Sequence, residues 1–228
     1  MAKTMHSTPD IALTGRFEPS DELTYRHLPF AVPDGVNQVH VRVQYNARIG
    51  SSPLLQGGNT LDIGLFDARG IESGSAGFRG WSGSEKTEIT VGHDWATPPY
   101  RAGALQPGEW NLLLGAYKVA PEGLDFQASI WFDPGLEPAP ADVSPAHLPS
   151  PEPRTPALEE GWLRGDLHCH STHSDGDSPP ATLLELATVL GFDFLGITDH
   201  NAPPSAVQSA GSGPILIPGT EVTTDGGH

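Results

Sequence analysis

One cysteine, Cys169, in 228 residues rules out an intrachain disulfide. Positive charge is also scarce: 12 Lys and Arg stand against 28 Asp and Glu, a formal net charge of −16. A field of that sign repels polyanions and disfavours a general binder of nucleic acid or anionic membranes. It leaves room for a small phosphorylated substrate, because bound cations reverse the sign locally. No apolar run approaches the length of a membrane span, and the start, MAKTMHSTPDIALTG, lacks the continuous apolar core of a signal peptide. The default expectation is a soluble cytoplasmic protein. No G-x-S-x-G, P-loop or dinucleotide fingerprint occurs. Apolar residues make up 37% of the chain, while Gly (27) and Pro (23) together exceed a fifth of it. That balance favours turns, strands and irregular segments over helix.

Residues 133–160, DPGLEPAPADVSPAHLPSPEPRTPALEE, hold eight prolines and no apolar period. They read as an extended, semi-rigid linker over 134–160, dividing the chain into 10–133 and 161–228. The first part reads as strands. QVHVRVQY alternates, with Val39, Val41, Val43 and Tyr45 on one face and Gln38, His40, Arg42 and Gln44 on the other. TLDIGLF groups Leu61, Ile63 and Leu65, EITV follows, WNLLLGAYKV is apolar on both faces, and LDFQASIWF groups Leu124, Phe126, Ala128, Ile130 and Phe132. Turn signals separate these runs, and an antiparallel β-sandwich of about 120 residues is expected.

The second part changes character. WLRGDLHCH reads as a strand and SPPATLLELATVLGF as a helix, with Ser178 as N-cap, Gly191 past the end, and a stripe of Leu183, Leu186, Ala187 and Leu190. FDFLGITDH and PILIPGTEV read as further strands. Strand, helix, strand implies a parallel βαβ unit.

His168 and His170 form a His-x-His pair on a strand, which brings two imidazoles to one side, close enough to share a cation. Asp166 is expected on the same side, with Leu167 and Cys169 turned inward. Alone, this pair says little. The next strand, however, ends in Asp199 and His200, and the third delivers Glu221, with His228 in the glycine-rich loop beyond. Ligands gather at the carboxyl ends of parallel strands, and three strand ends in succession supply His or carboxylate. Nitrogen and oxygen donors without thiolate suit Zn, Mn or Fe.

DLHCHSTHSDG, then ITDHN, then PGTEVTTDGGH, resembles the PHP (polymerase and histidinol phosphatase) superfamily over residues 161–228. The upstream DIGLFDARG, FRGWSG, ATPPY and GEWNLLLGAYKV resemble the β-domain of CehA/McbA-type members. The resemblance implies the first βαβαβ part of a distorted (β/α)7 barrel, hence a multidomain β plus α/β chain, and a site with three divalent metals. It implies His168 and His170 as the first ligands, Glu221 as a bridging carboxylate, His228 as the next ligand, and Asp175 with His200 as the pair holding a third metal. Asp166 and Asp199 would orient imidazoles, and His173 reads as a solvated loop residue. The implied activity is hydrolysis of a small ester or carbamate by metal-activated water, or, alternatively, of phosphate esters or nucleotides by a phosphoesterase or exonuclease. With three strands of seven and further ligands expected later, the chain reads as the N-terminal part of a longer enzyme that by itself binds metal weakly and turns over little. A reading from another class makes the β-domain a binding module for carbohydrate or protein through Trp81, Trp95, Trp110 and Trp131. Trp110 and Trp131 suit strand packing there, Trp81 an exposed loop contact, and His93 with Asp94 a plain loop.

Overall fold

The computed structural model describes residues 8–52, 54–72, 75–137, 162–200 and 213–222. Two compact units divide between residues 138 and 139. Most of the expected linker lies outside the described residues.

Among the described residues the first unit has eight strands: β1 (Ile11–Phe17), β2 (Tyr25–Val32), β3 (Gln38–Tyr45), β4 (Thr60–Phe66), β5 (Phe78–Trp81), β6 (Glu88–Gly92), β7 (Gly108–Lys118) and β8 (Leu124–Phe132). They form two four-stranded antiparallel sheets, ordered β1-β8-β3-β6 and β2-β7-β4-β5. The inner faces share one core, including Phe17, Val39, Val41, Leu61, Ile63, Trp110, Leu112, Leu124 and Ile130. This is the expected β-sandwich, and the alternation in β3, β4 and β8 points the anticipated residues inward. Strand β7 is central, which explains why it is apolar on both faces.

Strands β1, β2 and β5 add to those expected. Pro29 interrupts β2 without harm because β2 is an edge strand, so the missing N–H is not needed on its outer side. Trp81 ends β5 and is half-buried rather than displayed on a glycine-rich loop. The neighbouring Gly80 (φ 149°) lets the strand approach Tyr100, where an added Cβ would stand 2.8 Å from the Tyr100 Cα. Trp110 is wholly buried and Trp95 half-buried.

Trp131 lies on the opposite face of its sheet from the core, yet is only 7% exposed. There His40, on β3, sits between Thr90 of β6 and Trp131 of β8 in register. Its Nδ1 meets the Thr90 hydroxyl at 2.8 Å, and its ring lies 5.6 Å from that of Trp131. Burial, with Arg42 acting in the same sense and Glu88 opposing, pushes the His40 pKa down to about 4. The outer face is therefore not uniformly polar and solvated, as the alternation suggested. A buried ion pair also braces this unit: Asp67 receives Arg79 Nε at 2.6 Å and Arg69 Nη2 at 2.7 Å.

The second unit contains β9 (Gly165–Cys169), α1 (Pro180–Val189), β10 (Phe194–Ile197) and β11 (Ile215–Pro218). The strands form a parallel sheet in the order β11-β10-β9. The βαβ arrangement of β9, α1 and β10 is as expected, and the connection 201–212 lies outside the described residues. Helix α1 starts one residue later than anticipated. Pro179 is its N-cap, and Ser178 donates its hydroxyl to Asp177 instead. Its end matches expectation: Gly191 (φ 67°) bonds to Thr188 O and Phe192 to Ala187 O, a Schellman closure. The buried stripe is Leu184 and Ala187 with Leu183 alongside, packed on Cys169, Leu195, Ile197 and Leu216. Leu186 and Leu190 are 40% and 42% exposed, so the stripe is rotated from the one expected. No helix among the described residues is long and apolar enough to cross a membrane.

Candidate metal centre

The pairing of β9 with β10 shifts between Leu195 and Ile197, so three steps along β9 match two along β10. This irregularity breaks the alternation assumed for DLHCH. Cys169 does turn toward α1, but Leu167 is 60% exposed. Asp166 accepts the backbone N–H of His168 at 2.9 Å, so it shapes the bulge rather than orienting an imidazole. His170 follows β9 directly, where the chain leaves the sheet. Glu221 is brought alongside by a parallel bridge to His200 just beyond β10.

The result is two groups of potential ligands sharing His170: His168, His170 and Glu221, and His170, Asp175 and His200. In the first, the two Nε2 atoms lie 3.0 Å apart and each lies 2.8 Å from the same Glu221 Oε2. Donors at about 2.1 Å from one ion stand about 3.0 Å apart at adjacent octahedral positions and about 3.4 Å apart in a tetrahedron. The triangle fits the octahedral spacing. With the lone pairs of both Nε2 atoms turned to the shared carboxylate oxygen, the three atoms form a nitrogen and oxygen donor set suited to a divalent cation.

Asp175 joins the two groups. Its Oδ1 meets His170 Nδ1 at 2.6 Å, and its Oδ2 stands 3.5 Å from His200 Nε2. Burial would raise this carboxyl, but hydrogen bonds from His170 and His200 outweigh it and hold the pKa well below the carboxylate range. The same bond from Asp175 raises the His170 pKa against desolvation. Placing the His170 proton on Nδ1 leaves Nε2 as the lone pair facing Glu221, an arrangement common behind metal-bound histidine. Asp175 therefore orients an imidazole as well as facing His200, a role the sequence reading gave to Asp166 and Asp199.

Asp199 also departs from expectation. Its hydrogen-bond partners are Ser171 and Ser174, not an imidazole ring. Neither serine was singled out in the sequence; each is a small residue in a polar loop, 28 and 25 positions from Asp199. His173 is half-buried and enters neither group, and His228 lies outside the described residues. Burial, then Asp166 and Asp199, push the Cys169 thiol up to about 11, and Cys169 joins neither group. In the first unit His93 and Asp94 form an exposed pair at 2.7 Å and join no group of three among the described residues.

Fold and site together define a β-sandwich joined to a parallel βαβ unit with a His and carboxylate cluster at its strand ends. No family model matches the chain. Two curated proteins are similar over short stretches. The 5′-3′ exoribonuclease Rnm of Salmonella typhimurium is 42% identical over 65 residues, covering 26% of this chain and 22% of that protein. The DNA polymerase/3′-5′ exonuclease PolX of Bacillus subtilis is 41% identical over 44 residues, covering 19% of this chain and 8% of that protein. The chain thus spans less than a quarter of the length of either relative. Among solved structures, the Aeromonas hydrophila PliG, a periplasmic inhibitor of g-type lysozyme, is matched over 54% of this chain and 87% of its own, at 14% identity and a TM-score of 0.31. A likeness that low carries no argument.

Proposed function

We propose that the second unit carries the metal site of a PHP-type hydrolase that acts on a phosphate ester. The observation carrying this reading is the triangle of His168 Nε2, His170 Nε2 and Glu221 Oε2, with edges of 2.8–3.0 Å. When bound, a divalent cation there would acidify water and draw charge from an ester oxygen. His168, His170 and Glu221 would hold it, Asp175 keeps the His170 proton on Nδ1, and Asp175 Oδ2 with His200 offers a second position. Both curated relatives bear nuclease names, which moves the preferred substrate from the carboxyl ester or carbamate expected on sequence to a phosphate ester. The net charge of −16 favours a small or short substrate over a long polyanion.

The test is metal titration of the stripped chain, followed by prolonged assays with an aryl phosphate and an aryl carbamate. Binding of Mn²⁺ or Zn²⁺ that is lost in His170→Ala, with slow phosphate release, is the expected result. Absence of metal binding defeats the reading, and turnover of the carbamate alone defeats its choice of substrate.

A further inference from the structure

Asp199 is 3% exposed, and Ser171 and Ser174 are wholly buried. Asp199 Oδ1 accepts the Ser171 N–H at 2.7 Å and the Ser174 hydroxyl at 2.6 Å, while Oδ2 accepts the Ser171 hydroxyl at 2.6 Å. A carboxylate so far from water persists only when its lone pairs are taken up, and here one short loop takes them up. That loop also closes on itself: Ser174 and Gly176 both donate their N–H to Ser171 O at 3.0 Å, and His173 N–H meets Ser171 Oγ at 3.1 Å. At Gly176 an added Cβ would lie 2.2 Å from His170 O, so the turn has no slack.

The loop begins after His170 and delivers Asp175, which are bonded at 2.6 Å, and Asp199 directly precedes His200. One buried carboxylate therefore ties the end of β10 to the loop that sets Asp175 against both His170 and His200. We infer that Asp199 is a positioning residue for the candidate metal centre, acting through Ser171 and Ser174 to hold Asp175 in place between His170 and His200. A side chain needed only to fill space would be served better by an apolar residue, which needs no partners. The inference rests on the metal reading above.

The test uses the full chain, stripped of metal, with Co²⁺ as both ligand and spectroscopic probe. Asp199→Asn keeps the shape and removes the charge, and Ser174→Ala removes one of the three bonds together with the longer contact of the Ser174 hydroxyl to Asp175 Oδ1 at 3.3 Å. Asp199→Asn should lower Co²⁺ affinity roughly 10- to 100-fold, as loss of outer partners of metal ligands does, and change the visible absorption of the bound ion. Ser174→Ala should shift both in the same direction by less, and His173→Ala, which keeps the backbone N–H that meets Ser171 Oγ, should shift neither. Amide-exchange protection in α1 and β10 should persist in every variant. Wild-type affinity and spectrum in Asp199→Asn overturn the inference. So does loss of Co²⁺ binding together with loss of protection in α1 and β10, which assigns Asp199 to the fold. A wild-type chain that binds no Co²⁺ overturns the metal reading itself, whereas normal binding that Asp199→Asn leaves unchanged overturns only the positioning role.

Discussion

Acidification should weaken the β-sandwich through His40. In the folded chain its imidazole is pressed between Thr90 and Trp131 and is 4% exposed, and burial holds its pKa near about 4, against 6.5 for a free imidazole. The unfolded chain therefore binds more protons than the folded one between those two values, so stability rises with pH across the window. The contribution is fully present above about pH 6.5 and is lost as pH falls toward about 4. Between pH 8 and pH 5 the loss should be about 2 kcal/mol, approaching about 3 kcal/mol near the lower limit. Urea unfolding followed by tryptophan fluorescence at a series of pH values measures it. Carboxylates elsewhere add their own pH dependence, so the informative quantity is the difference between wild type and His40→Gln. Equal slopes for the two proteins between pH 8 and 5 would refute the reasoning, because they would show that the imidazole charges without penalty in its strand position.

Other outcomes follow from the same structure. Glu221→Gln keeps the shape of the first ligand group but removes its negative charge, and should weaken Co²⁺ binding at least tenfold, measured by titration. Arg79→Leu leaves buried Asp67 with only the more exposed Arg69 among its two arginine partners, and should destabilise the sandwich by about 3 kcal/mol in urea. Gly165→Ala places a Cβ 2.3 Å from Phe194 O, a backbone atom that cannot yield. It should break the pairing of β9 with β10 and speed amide exchange at Leu195 and Ile197.

The sandwich was legible where apolar and polar residues alternate. Val39, Val41 and Val43, or Leu61, Ile63 and Leu65, repeat at the period of a strand, and their apolar faces meet in one core. It was not legible in β2, where Pro29 reads as a break unless the strand is known to be an edge, nor in β5, where Gly80 reads as loop. In the second unit, the convergence of His168, His170, His200 and Glu221 could be anticipated because parallel strands bring their ends together. The serine partners of Asp199 and the bond of Asp175 to His170 could not. Both depend on the path of the loop after His170, which turns back on Ser171 with no period for a sequence to display. The bulge in β9 hid the role of Asp166 in the same way, since alternation alone has no means of counting an extra residue.

The pairing of β1 with β8 has a consequence for the order in which the protein can form. Ile11 stands opposite Ile130 and Phe17 opposite Leu124, so β1 is completed by β8, which is synthesised more than a hundred residues later. Strand β2 likewise waits for β7. Contacts so distant in sequence must close a long loop before they give anything back, which slows folding. A nascent chain that has emerged only as far as β6 holds Phe17 and Phe30 with no neighbouring strand to cover them. The sandwich should thus assemble as a single late event once β8 has left the ribosome, and a chain stalled before Leu124 should be a substrate for chaperones and proteases.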